Sequence, residues 1–243
     1  MSAMRAGWLF LDFDGVICDS LEECFQSSYL ADHGPGIGEA LPPPAPADAA
    51  YRAAFRACRP FVRSGEDYIV LHRLIASGKA PGGQAEFDAA LASVGPEGLA
   101  KIKSGLYAVR ESLLAKHRET WLGWNPLYPG MAEALNRLAP NPRAFILSTK
   151  KAEFIAEILA HQSVLWPAER IIYSGKERKL DIVGTMAGGE SSILIDDQVE
   201  HLDFAHPSCS CYAALWGYVT REAINEATPR LELAEALELM RDF

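Results

Sequence analysis

The sequence predicts a mixed α/β chain, a doubly wound parallel sheet interrupted just after its first strand by a smaller all-helical domain. Short, nearly uninterrupted apolar runs at Trp8–Leu11, Arg143–Leu147, Ile193–Ile195 and Tyr212–Trp216, with a weaker one at Arg170–Tyr173, read as buried strands. Helical patterns separate the later runs, the signature of βαβ units. Between the first run and the second, residues 21–124 carry almost no strand pattern and a succession of helices instead.

The first strand runs straight into Asp12-Phe13-Asp14-Gly15-Val16, so two carboxylates one residue apart stand at a buried strand end. Such carboxylates are costly unless something positive lies between them. A hard cation suits them, because Mg²⁺ takes carboxylate oxygens and keeps positions open for a phosphate. Gly15 frees the chain to turn sharply at that point. Ser20-Leu21-Glu22-Glu23 then has the form of a capping box and opens a helix to about His33, stopped at Gly34. A Pro/Ala-rich loop from Pro35 to Ala47 follows, since Pro42-Pro43-Pro44 cannot lie inside a helix. Helices are expected over Ala49–Cys58, Glu66–Ala76, Gln84–Val94 and Glu97 to about Thr120. In the last of these, Leu99, Ile102, Leu106, Val109 and Leu113 recur at helical spacing and read as core. The sheet domain then resumes with helices at Met131–Leu138, Ala152–His161, Lys179–Met186 and Leu231–Met240. The domains expected are 1–20 with 125–243, and 21–124, which begins beside the Asp pair and is expected to cover it.

Composition narrows the partners. The chain has 243 residues, 49% apolar and 23% charged, with a net charge of −9. That balance argues against a nucleic-acid or anionic-membrane partner, both of which need a basic patch. It leaves room for a phosphorylated small molecule, because a local metal overrides the global field. No run approaches the ~18 apolar residues of a membrane span, and the N-terminal stretch is too short and too acidic for a signal peptide. Cys18, Cys24, Cys58, Cys209 and Cys211 form no CxxC pair, which fits a reducing cytoplasm. Cys209-x-Cys211 reads as packing, and His201 and His206 read as structural.

Other strand ends carry complementary groups. The second strand ends at Ser148-Thr149-Lys150, where Ser148 offers a hydroxyl to a phosphate oxygen. A basic cluster, Ser174 to Lys179, follows the weak strand, and the next strand ends in the adjacent carboxylates Asp196-Asp197. One shared metal would satisfy both acidic strand ends. Phosphoryl transfer to a carboxylate needs a nucleophile, a proton donor, a metal and cations around the transferring oxygens. Asp12 and Asp14 supply the first two if their environments drive their pKa values apart.

This constellation resembles the haloacid dehalogenase superfamily, in its phosphatase branch with a helical cap and a Rossmann-like core. Asp12-Phe13-Asp14-Gly15-Val16 is similar to the first motif, and Ile17-Cys18-Asp19-Ser20 to its continuation in the phosphoglycolate-phosphatase and phosphoglucomutase-like members. Ser148 falls on the second motif and Asp196-Asp197 on the fourth, while the third motif's lysine is Lys179 or, as the alternative, Lys176. Leu127-Tyr128-Pro129-Gly130-Met131 resembles the cap's return hinge, and Trp216-Gly217-Tyr218 a turn of the same branch. The sequence does not decide between a monomer and a homodimer; the resemblance implies a hydrolase of a small phosphorylated metabolite. In it Asp12 is the nucleophile, Asp14 the acid/base, and Ser148 and Lys179 the phosphate ligands. Mg²⁺ would be held by Asp12, the Asp14 carbonyl and Asp197, with Asp196 behind them. The position of the mutases' cap histidine is Cys24 here, which disfavours the alternative of a phosphomutase; a catalytically silent scaffold is the other. In the cap, Arg52, Arg56, Arg59, Arg63, His72, Arg73 and Lys79 are the candidates to meet a substrate.

Overall fold

The computed structural model describes residues 7–34, 37, 38, 40 and 48–243, so most of the expected Pro35–Ala47 loop lies outside the described residues. The chain forms two units: residues up to Asp19 with Pro126–Phe243, and Ser20–Asn125.

The first unit is a parallel sheet of β1 (Trp8–Leu11), β2 (Ala144–Ser148), β3 (Ile171–Tyr173), β4 (Ser192–Asp196), β5 (Cys209–Ala214) and β6 (Arg230–Leu231). Their order is β3-β2-β1-β4-β5-β6, the doubly wound order whose direction reverses between β1 and β4. Ligands in such sheets bind at the carboxyl ends of the strands at that reversal. β1 is central because Leu9, Phe10 and Leu11 are sealed from solvent, each burial worth about 1.5–3 kcal/mol. Phe10 pairs in register with Phe145 on one side and Leu194 on the other, and the Phe10 and Phe145 rings stack at 5.7 Å. Leu180 and Val183 of α8 (Lys179–Ala187) cover this face, together with Cys209 and Cys211 of β5. Helices α6 (Met131–Leu138), α7 (Ala152–His161) and α9 (Leu233–Asp242) complete the unit.

Several boundaries move for physical reasons. β2 starts one residue late, because Arg143 turns outward to pair with Glu190 at 2.8 Å. β5 starts at Cys209 and ends before Trp216, whose indole instead donates to the Val16 carbonyl at 2.9 Å. Leu231, expected to open the last helix, belongs to β6. That helix starts at Leu233, where Glu235 accepts the main-chain N–H of Glu232.

The second unit comprises α1 (Leu21–His33), α2 (Ala49–Cys58), α3 (Gly65–Ala76), α4 (Gln84–Lys116) and α5 (Arg118–Gly123). α4 is two helices joined across Gly95, whose φ of 75° followed by Pro96 interrupts the ladder where the expected Gln84–Val94 helix stops. The expected capping box at Ser20 does not form: the Ser20 side chain caps nothing. Glu23 is instead fully buried, accepting from Arg110 Nε at 2.7 Å and Nη2 at 2.8 Å, Trp121 Nε1 at 3.1 Å and Ser27 Oγ at 2.7 Å.

Most of the cap candidates are engaged within this unit. Arg52 pairs with Glu22, Arg63 with Asp88 and Arg73 with Asp32, while Arg59 is buried over the Tyr68 ring. Arg56 and Lys79 are exposed. His72 is sealed among aromatic rings, 4.8 Å from Phe55 and 5.1 Å from Phe25. Its Nε2 faces the Phe25 carbonyl at 3.1 Å and must donate, so Nδ1 accepts from the Tyr51 hydroxyl at 2.7 Å. Burial pushes the His72 pKa down to about 4, so the fold favours the neutral ring. The stabilisation is therefore complete above about pH 6.5 and drains away as pH falls toward 4. Asp67 works in the opposite sense, because burial raises its pKa to about 6 and acidification favours the folded state there. Comparing wild type with His72→Gln by chemical denaturation cancels the Asp67 contribution. The stability advantage of wild type is expected to shrink by about 2–3 kcal/mol between pH 7.5 and 4.5. A gap that does not change with pH would rule out a neutral buried His72.

Candidate active site

β1 and β4 are neighbours in register, Leu11 opposite Ile195, and the ladder continues with the Asp12 N–H donating to the Ile195 carbonyl at 2.9 Å. The carboxylates that follow on each strand are thereby forced together. Oxygens of Asp12, Asp196 and Asp197 lie within 4.8 Å of one another, all three buried, and they are the one such ligand group among the described residues.

Lys179, the first residue of α8, answers part of this charge. Its Nζ lies 2.7 Å from Asp196 Oδ2 and 2.9 Å from Asp12 Oδ1. Burial pushes the Asp12 carboxyl above its ordinary range, as does the neighbouring Asp196, and Lys179 offsets them only in part. Burial also opposes ionisation of Asp196, but there Lys179 and His201 outweigh it and hold the carboxyl well below the usual range. Lys179 itself is pulled down by burial, yet the charges of Asp12 and Asp196 win and raise its pKa. Three carboxylates against Lys179, even with a cationic His201, still carry net negative charge. Asp12 Oδ1 has the ammonium beside it but receives no directed hydrogen bond. An all-oxygen cluster of this charge fits a hard divalent cation.

The chain bends tightly to build this geometry. Gly15 has φ 85°, and a side chain there would run into Asp197 Oδ2 at 2.2 Å. Gly217 is equally constrained, since a Cβ would sit 2.3 Å from the Gly15 carbonyl oxygen and 2.6 Å from Asp197 Cβ. The two glycines let the loops after β1 and β5 close around Asp197, whose Oδ2 accepts the Tyr218 N–H at 3.0 Å. The Tyr218 hydroxyl donates to Asp19 at 2.7 Å. Asp19 lies where the chain leaves this unit, its N–H donating to the carbonyl of Pro126 where the chain returns.

Ser148 ends β2, buried, its Oγ accepting the Lys150 main-chain N–H at 3.3 Å. Lys150 is a site residue that sequence reasoning missed. Its buried ammonium lies 3.0 Å from Asp14 Oδ1. Its position two residues beyond the candidate hydroxyl was the available signal, outweighed by the richer basic cluster after β3. Of the two lysines in that cluster, the structure places Lys179 among the carboxylates and leaves Lys176 exposed. His201, expected to be structural, instead contacts Asp196 Oδ2 through Nδ1 at 3.0 Å. Its pKa is lowered by burial but raised overall by that carboxylate. Cys209 and Cys211 are both buried with their sulfurs 3.9 Å apart, packed in the apolar cluster.

No protein-family model matches the chain, and no curated protein matches it at a significant level. Solved structures do match along nearly its whole length. A protein from Lactobacillus delbrueckii subsp. bulgaricus with the provisional name phosphoglycolate phosphatase is 14% identical, with 98% of this chain and 99% of that one aligned at a TM-score of 0.58. A haloacid dehalogenase-like family hydrolase from Streptococcus pneumoniae is 17% identical, covering 95% and 96% at a TM-score of 0.55. A Haemophilus somnus protein, also provisionally named phosphoglycolate phosphatase, is 13% identical over 98% and 99%, with a TM-score of 0.58. The chain has the same fold as these proteins. Among the described residues, no helix is long and apolar enough to cross a membrane.

Proposed function

We propose that the protein is a Mg²⁺-dependent phosphatase of the haloacid dehalogenase superfamily that hydrolyses a small phosphorylated metabolite through an aspartyl-phosphate on Asp12. One observation carries this reading. A buried carboxylate at the switch point of the sheet lies beside a buried ammonium and two further buried carboxylates. That is a poor arrangement for stability and a good one for receiving a phosphoryl group. The shared fold with hydrolases and provisionally named phosphatases supports it.

The chain's own groups account for each step. A carboxylate oxygen of Asp12 attacks phosphorus, the bond from phosphorus to the ester oxygen breaks, and the leaving oxygen takes a proton from the Asp14 carboxyl. Water then attacks the acyl-phosphate and passes its proton to Asp14, which restores Asp12 and frees inorganic phosphate. Lys150, at 3.0 Å, fixes the orientation of Asp14. Lys179 and the Ser148 hydroxyl face the transferring oxygens, whose negative charge is largest in the transition state. Asp12, Asp197 and the main-chain carbonyl of Asp14 are the groups that would hold Mg²⁺, which neutralises the repulsion between nucleophile and phosphate when bound.

The test is phosphate release from a panel of phosphomonoesters with Mg²⁺, repeated after chelation. Release that chelation removes and Mg²⁺ restores is the expected result. No release from any ester by folded, metal-replete protein would overturn the reading.

A further inference from the structure

Asp196 is held from more sides than its place behind the nucleophile requires. Its Oδ1 accepts the Gln198 N–H at 2.9 Å, and its Oδ2 is shared by Lys179 Nζ at 2.7 Å and His201 Nδ1 at 3.0 Å. Lys179 Nζ in turn reaches Asp12 Oδ1 at 2.9 Å. The groups form a row of alternating sign, Asp12–Lys179–Asp196–His201, and the imidazole closes its outer end. A carboxylate oxygen bonded to a single flexible ammonium can follow that ammonium. A second donor from a short, fixed backbone segment, Val199–His201, pins the plane of the carboxylate.

We infer that His201 is a positioning residue: by holding Asp196 Oδ2 it fixes the seat of the Lys179 ammonium, and so the nucleophilic oxygen of Asp12. The imidazole lies outside the apolar cluster under β4, and the partner of its Nδ1 is a buried carboxylate at 3.0 Å. The sequence points the same way only in retrospect, since His201 follows the acidic pair within one short turn.

The catalytic consequence rests on the phosphatase reading, so the experiment has two arms. In the first, kcat and KM are measured on the best ester for wild type, His201→Ala, His201→Asn and Asp196→Asn, and for His201→Ala combined with Asp196→Asn. The asparagine amide nitrogen occupies the place of Nδ1 and keeps a donor there. His201→Ala is expected to lower kcat by about 10–100-fold with KM little changed, and His201→Asn to recover most of it. Adding His201→Ala to Asp196→Asn is expected to cost nothing further, because the two act as one unit. Multiplicative losses, or a change confined to KM, would overturn the inference.

The second arm needs no activity. In metal-free protein labelled with ¹⁵N-lysine, the Lys179 ammonium signal, assigned by its absence in Lys179→Arg, is compared among wild type, His201→Ala and His201→Asn. A displaced or broadened signal in His201→Ala that returns in His201→Asn sustains the inference even if no ester is hydrolysed, in which case only the phosphatase reading falls. An unchanged ammonium signal in His201→Ala overturns it whatever the kinetics show.

Discussion

Asp12→Asn is expected to abolish phosphate release, by at least about 10⁴-fold, while leaving thermal stability of the metal-free protein equal to wild type or higher. The two halves of this prediction share one cause. Asp12 is buried, and its carboxyl is pushed above its ordinary range by that burial and by Asp196. On the phosphatase reading its charge serves the attack on phosphorus and the seat of Mg²⁺, neither of which the metal-free fold needs. A neutral amide of the same shape removes the nucleophile and also removes a charge that the fold holds at a cost. Lys179 keeps Asp196 as its partner at 2.7 Å, so the substitution does not orphan the ammonium. Phosphate release and thermal unfolding, measured on the same metal-free and metal-loaded samples, check both halves. Residual release near the wild-type rate would remove Asp12 from the role of nucleophile. A large fall in unfolding temperature would mean that lost activity reports lost structure.

The parts of this molecule legible in the sequence are those set by short-range pattern. The apolar run before Asp12 could only be a buried strand, and Asp12, Asp14, Asp196 and Asp197 stand out because charge at such a strand end is rare. Gly95-Pro96 announces the break in α4 for the same local reason. What stayed hidden depends on partners far away in the chain. Glu23 has the spacing of a capping residue, yet Arg110, 87 positions later, claims it. Lys150 looks like an ordinary loop lysine until the sheet brings it to Asp14, 136 positions earlier. His201 takes its meaning from a contact with Asp196 that no periodicity encodes. β6 is too short, at two residues, to leave any pattern at all.

Glu23→Ala is expected to destabilise the protein by about 3–5 kcal/mol, because it strands the Arg110 guanidinium in the interior of the helical unit. The pair is sealed, with side chains 0% and 6% exposed, and Glu23 accepts both Arg110 nitrogens, the Trp121 indole and the Ser27 hydroxyl. Removing the carboxylate therefore leaves four donors to find partners where water cannot easily follow. The exposed pair Arg63–Asp88, at 39% and 46%, is the control, and Asp88→Ala is expected to cost under about 1 kcal/mol. Denaturant titrations followed by tryptophan fluorescence measure both, Trp121 lying directly on Glu23. If Glu23→Ala costs no more than the exposed control, the buried pair is not what orders this unit. Combining Glu23→Leu with Arg110→Met separates two meanings of a large loss. A double variant that recovers most of the stability shows that the single one suffered from an abandoned charge, since two apolar groups owe no desolvation and leave no charge unpaired. A double variant as unstable as Glu23→Ala shows instead that the hydrogen bonds to Trp121 and Ser27 are what this segment of α1 is built around.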